Sequence, residues 1–399
     1  MSWNSVKLGE LYTVHNGLSK GSKSFGSGYP FLTFSTVFNN YFIPPELDSF
    51  VQSSEAERQN YSIKRGDVFV TRTSETSDEL GMSCVALKDY PNATYNGFTK
   101  RMRPFTDRVL PEFIGYYMRM PSFRGEFLAF STMTTRASLK NEDLLGLQIR
   151  LPEKETQKRI ADILSAYDNL VENNQKQIKL LEEAAQRLYK EWFVDLRFPG
   201  YEDTPIVDGV PEGWTLGELG DIAIDSGKKE KKEHRGQYQY YLPIDCLPKR
   251  SLAYTDKNDI TLAESSLAAF MPNDILFGAM RPYFHKVVVA RDKGLTRTTC
   301  FVINSKMPAY WAYLLLLLFS KDTVDYATQI SVGTTMPYVR WKDFIHMPTL
   351  IPPEEKCDAF QAIVLPIIER ISCLAVSSER LIQARDRLLP KLMSGEIEV

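Results

Sequence analysis

The sequence predicts an α+β protein, in which two similar mixed α/β lobes are separated by an antiparallel two-helix coiled coil. Three observations lead there. The chain has 399 residues, long enough for two ordinary domains and too long for one small core. It repeats itself: Trp3 and Leu8-Gly9-Glu10-Leu11 return as Trp214 and Leu216-Gly217-Glu218-Leu219. Thr134-Thr135, Asp143 and Leu151-Pro152 likewise return 200 residues later as Thr334-Thr335, Asp343 and Ile351-Pro352. Each half then closes in a long stretch whose apolar residues recur at alternating steps of three and four, the mark of a helical seam.

In chain order, residues 1–151 form the first lobe. The turn Lys64-Arg65-Gly66-Asp67 leads into the strand Val68-Phe69-Val70, and residues 112–120 suit a helix. Residues 152–197 form the first spacer helix. Pro152 suits its first turn, and Glu153 and Glu155 favour the positive end of the dipole. Its seam runs through Ile160, Leu164, Tyr167, Val171, Asn174, Ile178, Leu181 and Leu188, with Asn174 the single polar residue that fixes register. Residues 198–213, rich in Pro and Gly, form a linker. In the second lobe, 214–351, Pro272-Asn273-Asp274 turns into the strand Ile275-Leu276-Phe277. Further strands fall at 287–290 and 300–303 and a helix at 310–320. The second spacer helix, 352–399, carries Phe360, Val364, Ile367, Ile371, Leu374, Leu381 and Leu388. Ser378 and Arg385 interrupt this seam, and Pro366 should bend the helix. Each buried Leu or Ile contributes roughly 1.5–3 kcal/mol, so neither seam is stable in water. At about 60 Å, such helices also outrun a lobe of this size, which favours pairing with each other.

Composition excludes several classes. Lys+Arg 48 against Asp+Glu 50 gives a net charge of -2, which is not a polybasic protein. Each lobe (1–150 and 212–350) is nonetheless mildly positive, with 17 basic residues against 15 acidic, while the helices and linker are negative. The five cysteines form no C-x-x-C pair, and none of the four histidines adjoins a cysteine, so neither a disulfide framework nor a zinc site is expected. No basic region followed by an apolar stretch opens the chain, and the leucine-rich run at 311–319 is shorter than the ~20 residues of a membrane span. A cytoplasmic protein with no membrane partner is the expectation. No G-x-S-x-G or H-E-x-x-H occurs, residues 17–24 match a phosphate-binding loop only loosely, and His285 and Cys300 read as structural. No catalytic constellation and no metal site emerges. The pattern is that of a binding protein.

The binding candidates are clustered. In the first lobe they are Lys20 and Lys23 in a Gly/Ser-rich loop, Arg72-Thr73-Ser74, Lys100-Arg101-Met102-Arg103, and Thr134-Thr135-Arg136. In the second they are Lys228, Lys229, Lys231, Lys232 and Arg235, then Arg281, Tyr283 and Lys286, then Thr334, Thr335, Tyr338 and Arg340. Small residues beside lysines let backbone N–H groups and ammonium ions approach phosphates, and arginine among short hydroxyl side chains suits base edges. Any one such run is usually a solvated loop; duplication of the pattern in both lobes favours double-stranded DNA.

Two stretches, Leu188-Tyr-Lys-Glu-Trp-Phe-Val-Asp-Leu-Arg-Phe-Pro-Gly200 and Arg385-Asp-Arg-Leu-Leu-Pro-Lys-Leu-Met-Ser-Gly-Glu-Ile397, give the chain a family likeness. With the duplicated lobes, Arg72-Thr73-Ser74-Glu75 and Gly333-Thr334-Thr335-Met336-Pro337, it resembles the specificity subunit of type I restriction-modification enzymes over nearly its whole length. The resemblance implies two target recognition domains, each reading one half of an asymmetric bipartite DNA site, with the helix pair as a ruler. It implies two methyltransferase subunits and motor-nuclease subunits as partners. S-adenosylmethionine, ATP and magnesium are then held by those partners and not by this chain. A subunit of a methylation-only system and a non-catalytic architectural coiled-coil protein are the alternatives.

Overall fold

Val68-Phe69-Val70 and Ile275-Leu276-Phe277 offer water no polar side chain, and each is buried on both faces as an inner strand of a four-stranded antiparallel sheet. The computed structural model describes residues 3–74, 80–130, 137–264 and 266–399. They divide into two compact units, Met1–Asn169 with Ile382–Val399, and Leu170–Leu381.

In the first unit the sheet order is Tyr12–Asn16, Thr99–Pro104, Val68–Thr71, Ser83–Val85. Helices Pro111–Tyr117 and Pro121–Phe130 follow the sheet in the chain, and a short ladder pairs Asn4–Lys7 with Gln148–Leu151. The second unit repeats this order with Ala223–Asp225, Cys300–Ser305, Ile275–Gly278 and Val287–Val289. Its helices are Trp311–Leu318 and Lys321–Gln329, and its ladder pairs Thr215–Glu218 with Pro348–Ile351. The leucine-rich helix is apolar all round because it is buried all round, every one of its eight residues lying inside. The units differ in their second sheets. The first unit has three strands there (Phe50–Val51, Phe25–Leu32, Thr94–Tyr95). The second has four (Lys228–Glu230, Leu267–Phe270, Gly294–Arg297, Tyr240–Tyr241).

The two long helices are α1 (Lys154–Tyr189) and α2 (Glu354–Ser394). Both begin just after the prolines that were expected inside the first turn. Gln157 N–H donates to Glu153 O and Cys357 N–H to Pro353 O, so Glu153 and Pro353 sit at the caps. Within the second unit the helices run antiparallel: Asn174 Nδ2 donates to Ser378 Oγ at 3.2 Å, and eighteen residues further on Trp192 meets Phe360, which lies eighteen residues back from Ser378, at 5.4 Å. Asn174 is 8% exposed, and its amide is satisfied across the pair by Ser378 and, at 3.3 Å, by Ser377 Oγ. Ser378 thus pairs with the register residue instead of merely breaking the seam. Within the first unit Ile160 and Leu164 share a core with Leu389 and Leu392. There Arg385 forms an ion pair with Asp168, and the Tyr116 hydroxyl donates to Asp168 Oδ2 at 2.5 Å.

The buried stripes are wider than a two-helix seam. Ile368 is fully buried where Ile367 is only partly so, and Tyr167, Val171, Leu181, Leu188, Leu381 and Leu388 are likewise half-buried. In the second unit both helices also pack on the lobe, which draws in Glu182, Ala185, Tyr189 and Ala375. By length and composition α2 could cross a membrane. Its residues Phe360, Val364, Ile368, Ile371 and Leu374 are instead part of the second unit's core. Pro366 is accommodated within this single helix.

Glu182 of α1 is 5% exposed and accepts from the Ser251 hydroxyl and the Leu252 N–H, both at 2.7 Å. Burial pushes its carboxyl above the ordinary range against the pull of those donors. A carboxyl raised in the folded state contributes fully below its unfolded pKa and loses that contribution as pH rises. Glu182→Gln keeps an oxygen for both donors and carries no charge. Its urea midpoint should match the wild type below about pH 4, the ordinary carboxyl range, and exceed it at pH 8; a variant less stable than wild type at pH 8 would contradict this assignment.

Candidate nucleic-acid interface

The strand Ile275–Gly278 opens into the loop Ala279-Met280-Arg281-Pro282-Tyr283, which lies against residues 332–339. Val339 N–H donates to Ala279 O at 2.9 Å, Arg281 N–H donates to Pro337 O at 2.7 Å, and Met280 bridges to Tyr338. Arg281 has φ of 50°, a left-handed conformation that a non-glycine residue keeps only when its surroundings impose it. Its Nη2 donates to Thr335 O at 3.2 Å, and its Nε is buried with no partner among the described residues. Tyr283, Thr334, Thr335, Met336 and Tyr338 are exposed around it. Two runs that lie fifty residues apart in the sequence therefore form one surface.

The first unit builds the same junction. The strand Val68–Thr71 leads to Arg72, whose carbonyl accepts from Leu139 N–H at 3.1 Å, and Thr73–Ser74 pairs with Ala137–Ser138. Leu139 and Val339 share the 200-residue offset of the repeat. Arg72 Nη1 donates to Asn16 Oδ1 at 3.4 Å, and its Nε too is buried without a partner among the described residues. Arg72 N–H donates to Phe98 O at 3.0 Å, which brings a third loop to the site. Thr134, Thr135 and Arg136 lie outside the described residues. Of Thr73 and Ser74 only the strand pairing is described.

Residues 1–183 match the family model for the type I restriction modification DNA specificity domain. Relatives extend the likeness over the second half. The type I restriction enzyme MjaIX specificity subunit of Methanocaldococcus jannaschii is 26% identical, with 100% of this chain and 94% of the relative covered. The HindI specificity subunit of Haemophilus influenzae is 23% identical over 99% of both. Among solved structures, the type I restriction-modification S subunit from M. genitalium shares the fold at a TM-score of 0.55 and 14% identity, covering 98% of this chain and 96% of its own.

In the first unit the basic block at 100–103 serves the fold. Arg101, 7% exposed, donates to Ser62 O at 2.7 Å and lies over the Tyr95 ring. Arg103 grips Asp67 with two bonds of 2.6 and 2.7 Å, which raises its pKa further. Lys100 is buried against Asn141, and burial lowers its pKa. Lys100, Arg101 and Arg103 were expected to bind DNA; burial takes Lys100 and Arg101 out of reach, and Arg103 is engaged by Asp67. Lys20 is paired with Glu57 at 2.6 Å, whereas Lys23 is exposed.

In the second lobe Lys228 and Lys229 stand exposed on the edge strand Lys228–Glu230 of the second sheet, with Lys231 exposed beyond it. Lys232 is paired with Glu264, and Arg235 Nη1 donates to Thr261 O at 3.1 Å. Lys286 Nζ donates to Ile244 O at 2.6 Å, and Arg340 pairs with Asp343 at 2.5 Å, so both are spoken for. Cys300 and His285 are structural: burial pushes the thiol up to about 12, and the imidazole Nε2 lies 3.0 Å from Phe319 O with its pKa lowered by burial. Asn16 and Phe98 were missed from sequence. Their only signal was the pair of glycines beside them.

Those glycines set the loop geometry. A Cβ on Gly17 would lie 2.0 Å from Asn96 O, and one on Gly97 would lie 2.2 Å from Ser19 Oγ, whereas Gly21 has open space. Gly17→Ala should therefore displace the loop carrying Phe98 and weaken duplex DNA binding about tenfold, the worth of one base contact. Gly21→Ala should bind as wild type. Fluorescence anisotropy checks both; equal affinity of the two variants would separate this loop from the interface.

Proposed function

We propose that this chain is the DNA-recognition subunit of a type I restriction-modification complex, each lobe reading one half of an asymmetric bipartite site. The observation that carries the reading is the duplicated junction at the end of the inner strand, with Arg72 at the junction position in the first lobe and Arg281 two residues beyond the equivalent Ala279 in the second. The same scaffold presents different side chains in the two lobes, so the half-sites should be unlike. Arginine paired with guanine O6 and N7 is the chemistry such a junction offers. Exposed lysines on the second sheet would hold phosphates and set register without reading sequence.

The helices α1 and α2 each contribute residues to both units, which favours a role for the pair in setting the spacer between half-sites. The partners are two methyltransferase subunits, with motor-nuclease subunits joining for cleavage. S-adenosylmethionine, ATP and magnesium belong to those subunits in this reading, and this chain supplies recognition.

The test is methylation mapping. The chain assembled with its methyltransferase partner and S-adenosylmethionine should modify DNA at a motif of two unlike half-sites separated by unspecified bases. A protein that assembles but leaves no methylated motif would support the architectural alternative. Neutralising Lys228, Lys229 and Lys231 should flatten the dependence of log K on log salt by up to ~3, since each phosphate contact contributes about 0.9 to the slope. Neutralising Lys232, already paired with Glu264, should change it little. An unchanged slope in the triple variant would place this edge strand outside the DNA contact.

A further inference from the structure

Phe98 stands at the tip of the loop that Gly17 and Gly97 allow to close. The residue is 57% exposed, yet its backbone is fixed on both sides. Its N–H donates to Asn96 Oδ1 at 2.7 Å, and its carbonyl accepts from Arg72 N–H at 3.0 Å. The next residue, Thr99, donates to Asn96 O through both its N–H, at 3.0 Å, and its hydroxyl, at 2.7 Å. Single exposed apolar residues are common on protein surfaces. A phenylalanine whose backbone is fixed on both sides and bonded to a candidate base-reading arginine is a different matter. In the second lobe the residue whose carbonyl accepts from the equivalent amide, that of Ala279, is Thr299. The ring is therefore particular to the first lobe.

We propose that Phe98 recognises a thymine, its ring covering the 5-methyl group of a base next to the one that Arg72 reads. The proposal rests on the DNA-recognition reading above. The guanine atoms that pair with arginine lie on the major-groove edge, and the hydrogen bond between Arg72 and Phe98 carries both residues into the same groove. The apolar feature that base edges present there is the thymine methyl. A ring wedged between base steps belongs to minor-groove binding and would be placed away from such an arginine.

The experiment uses the chain assembled with its methyltransferase partner and a duplex bearing the mapped motif, each thymine replaced in turn by deoxyuridine. At one thymine of one half-site, the replacement should weaken wild-type binding about fourfold, the worth of one buried methyl. Phe98→Ala should bind the thymine and uracil duplexes equally while still discriminating at the other half-site, which shows that it is folded. Phe98→Leu should keep part of the preference. The proposal is overturned if no thymine is sensitive, or if Phe98→Ala retains the wild-type preference. A rise in 2-aminopurine fluorescence at an unstacked step, lost in Phe98→Ala, would also overturn it by showing a wedge. A complex that methylates no motif overturns the recognition reading, and this proposal with it.

Discussion

Two apolar stripes that cannot remain in water govern this structure. Helices of 36 and 41 residues carry them, roughly 54 and 62 Å long at about 1.5 Å per residue. Antiparallel pairing solves part of the problem and the lobes solve the rest, which is why buried positions extend beyond the seam to Ala185, Tyr189 and Ala375. A seam made only of leucine and isoleucine would tolerate slippage by a turn. Asn174 facing Ser378 penalises that, because a slipped register would leave a buried amide without a partner. In the first unit the Asp168–Arg385 pair and the Tyr116 hydroxyl do the same work with charge.

The two lobes share a frame and differ at their tips. The four-stranded sheet, its two helices and the short ladder recur in the same order, and the recurring hydrogen bond from Leu139 or Val339 fixes the same loop junction. The second sheets share neither strand number nor order. A duplicated frame with unlike tips is what an asymmetric recognition site requires. Burial holds the frame, whereas nothing in the core constrains side chains at Phe98, Tyr283 or Met336.

The repeat, the inner strands and both long helices were legible because their signals are periodic and depend on burial. The leucine-rich helix at Trp311–Leu318 was legible for the same reason. The site was legible only in part. Arg281 and Thr335 were picked from separate runs, and the structure joins them through a left-handed backbone that no local pattern announces. Lys100, Arg101 and Arg103 misled because a basic run on a strand alternates faces, and its residues found Asp67, Asn141 and backbone carbonyls inside the lobe. Ser378 looked like a flaw in the seam until its partner across the pair was known. In each case the deciding fact was a contact between residues distant in sequence.

The central claim is that the helix pair sets the distance between two independent readers. Removing seven residues from the facing turns of both helices keeps the seam in phase and shortens it by about 10 Å, at 1.5 Å per residue. Methylation mapping of that variant should return both half-sites unaltered with a shorter spacer, by about three base pairs at the 3.4 Å rise of duplex DNA. Altered half-sites, or an unchanged spacer, would contradict the account.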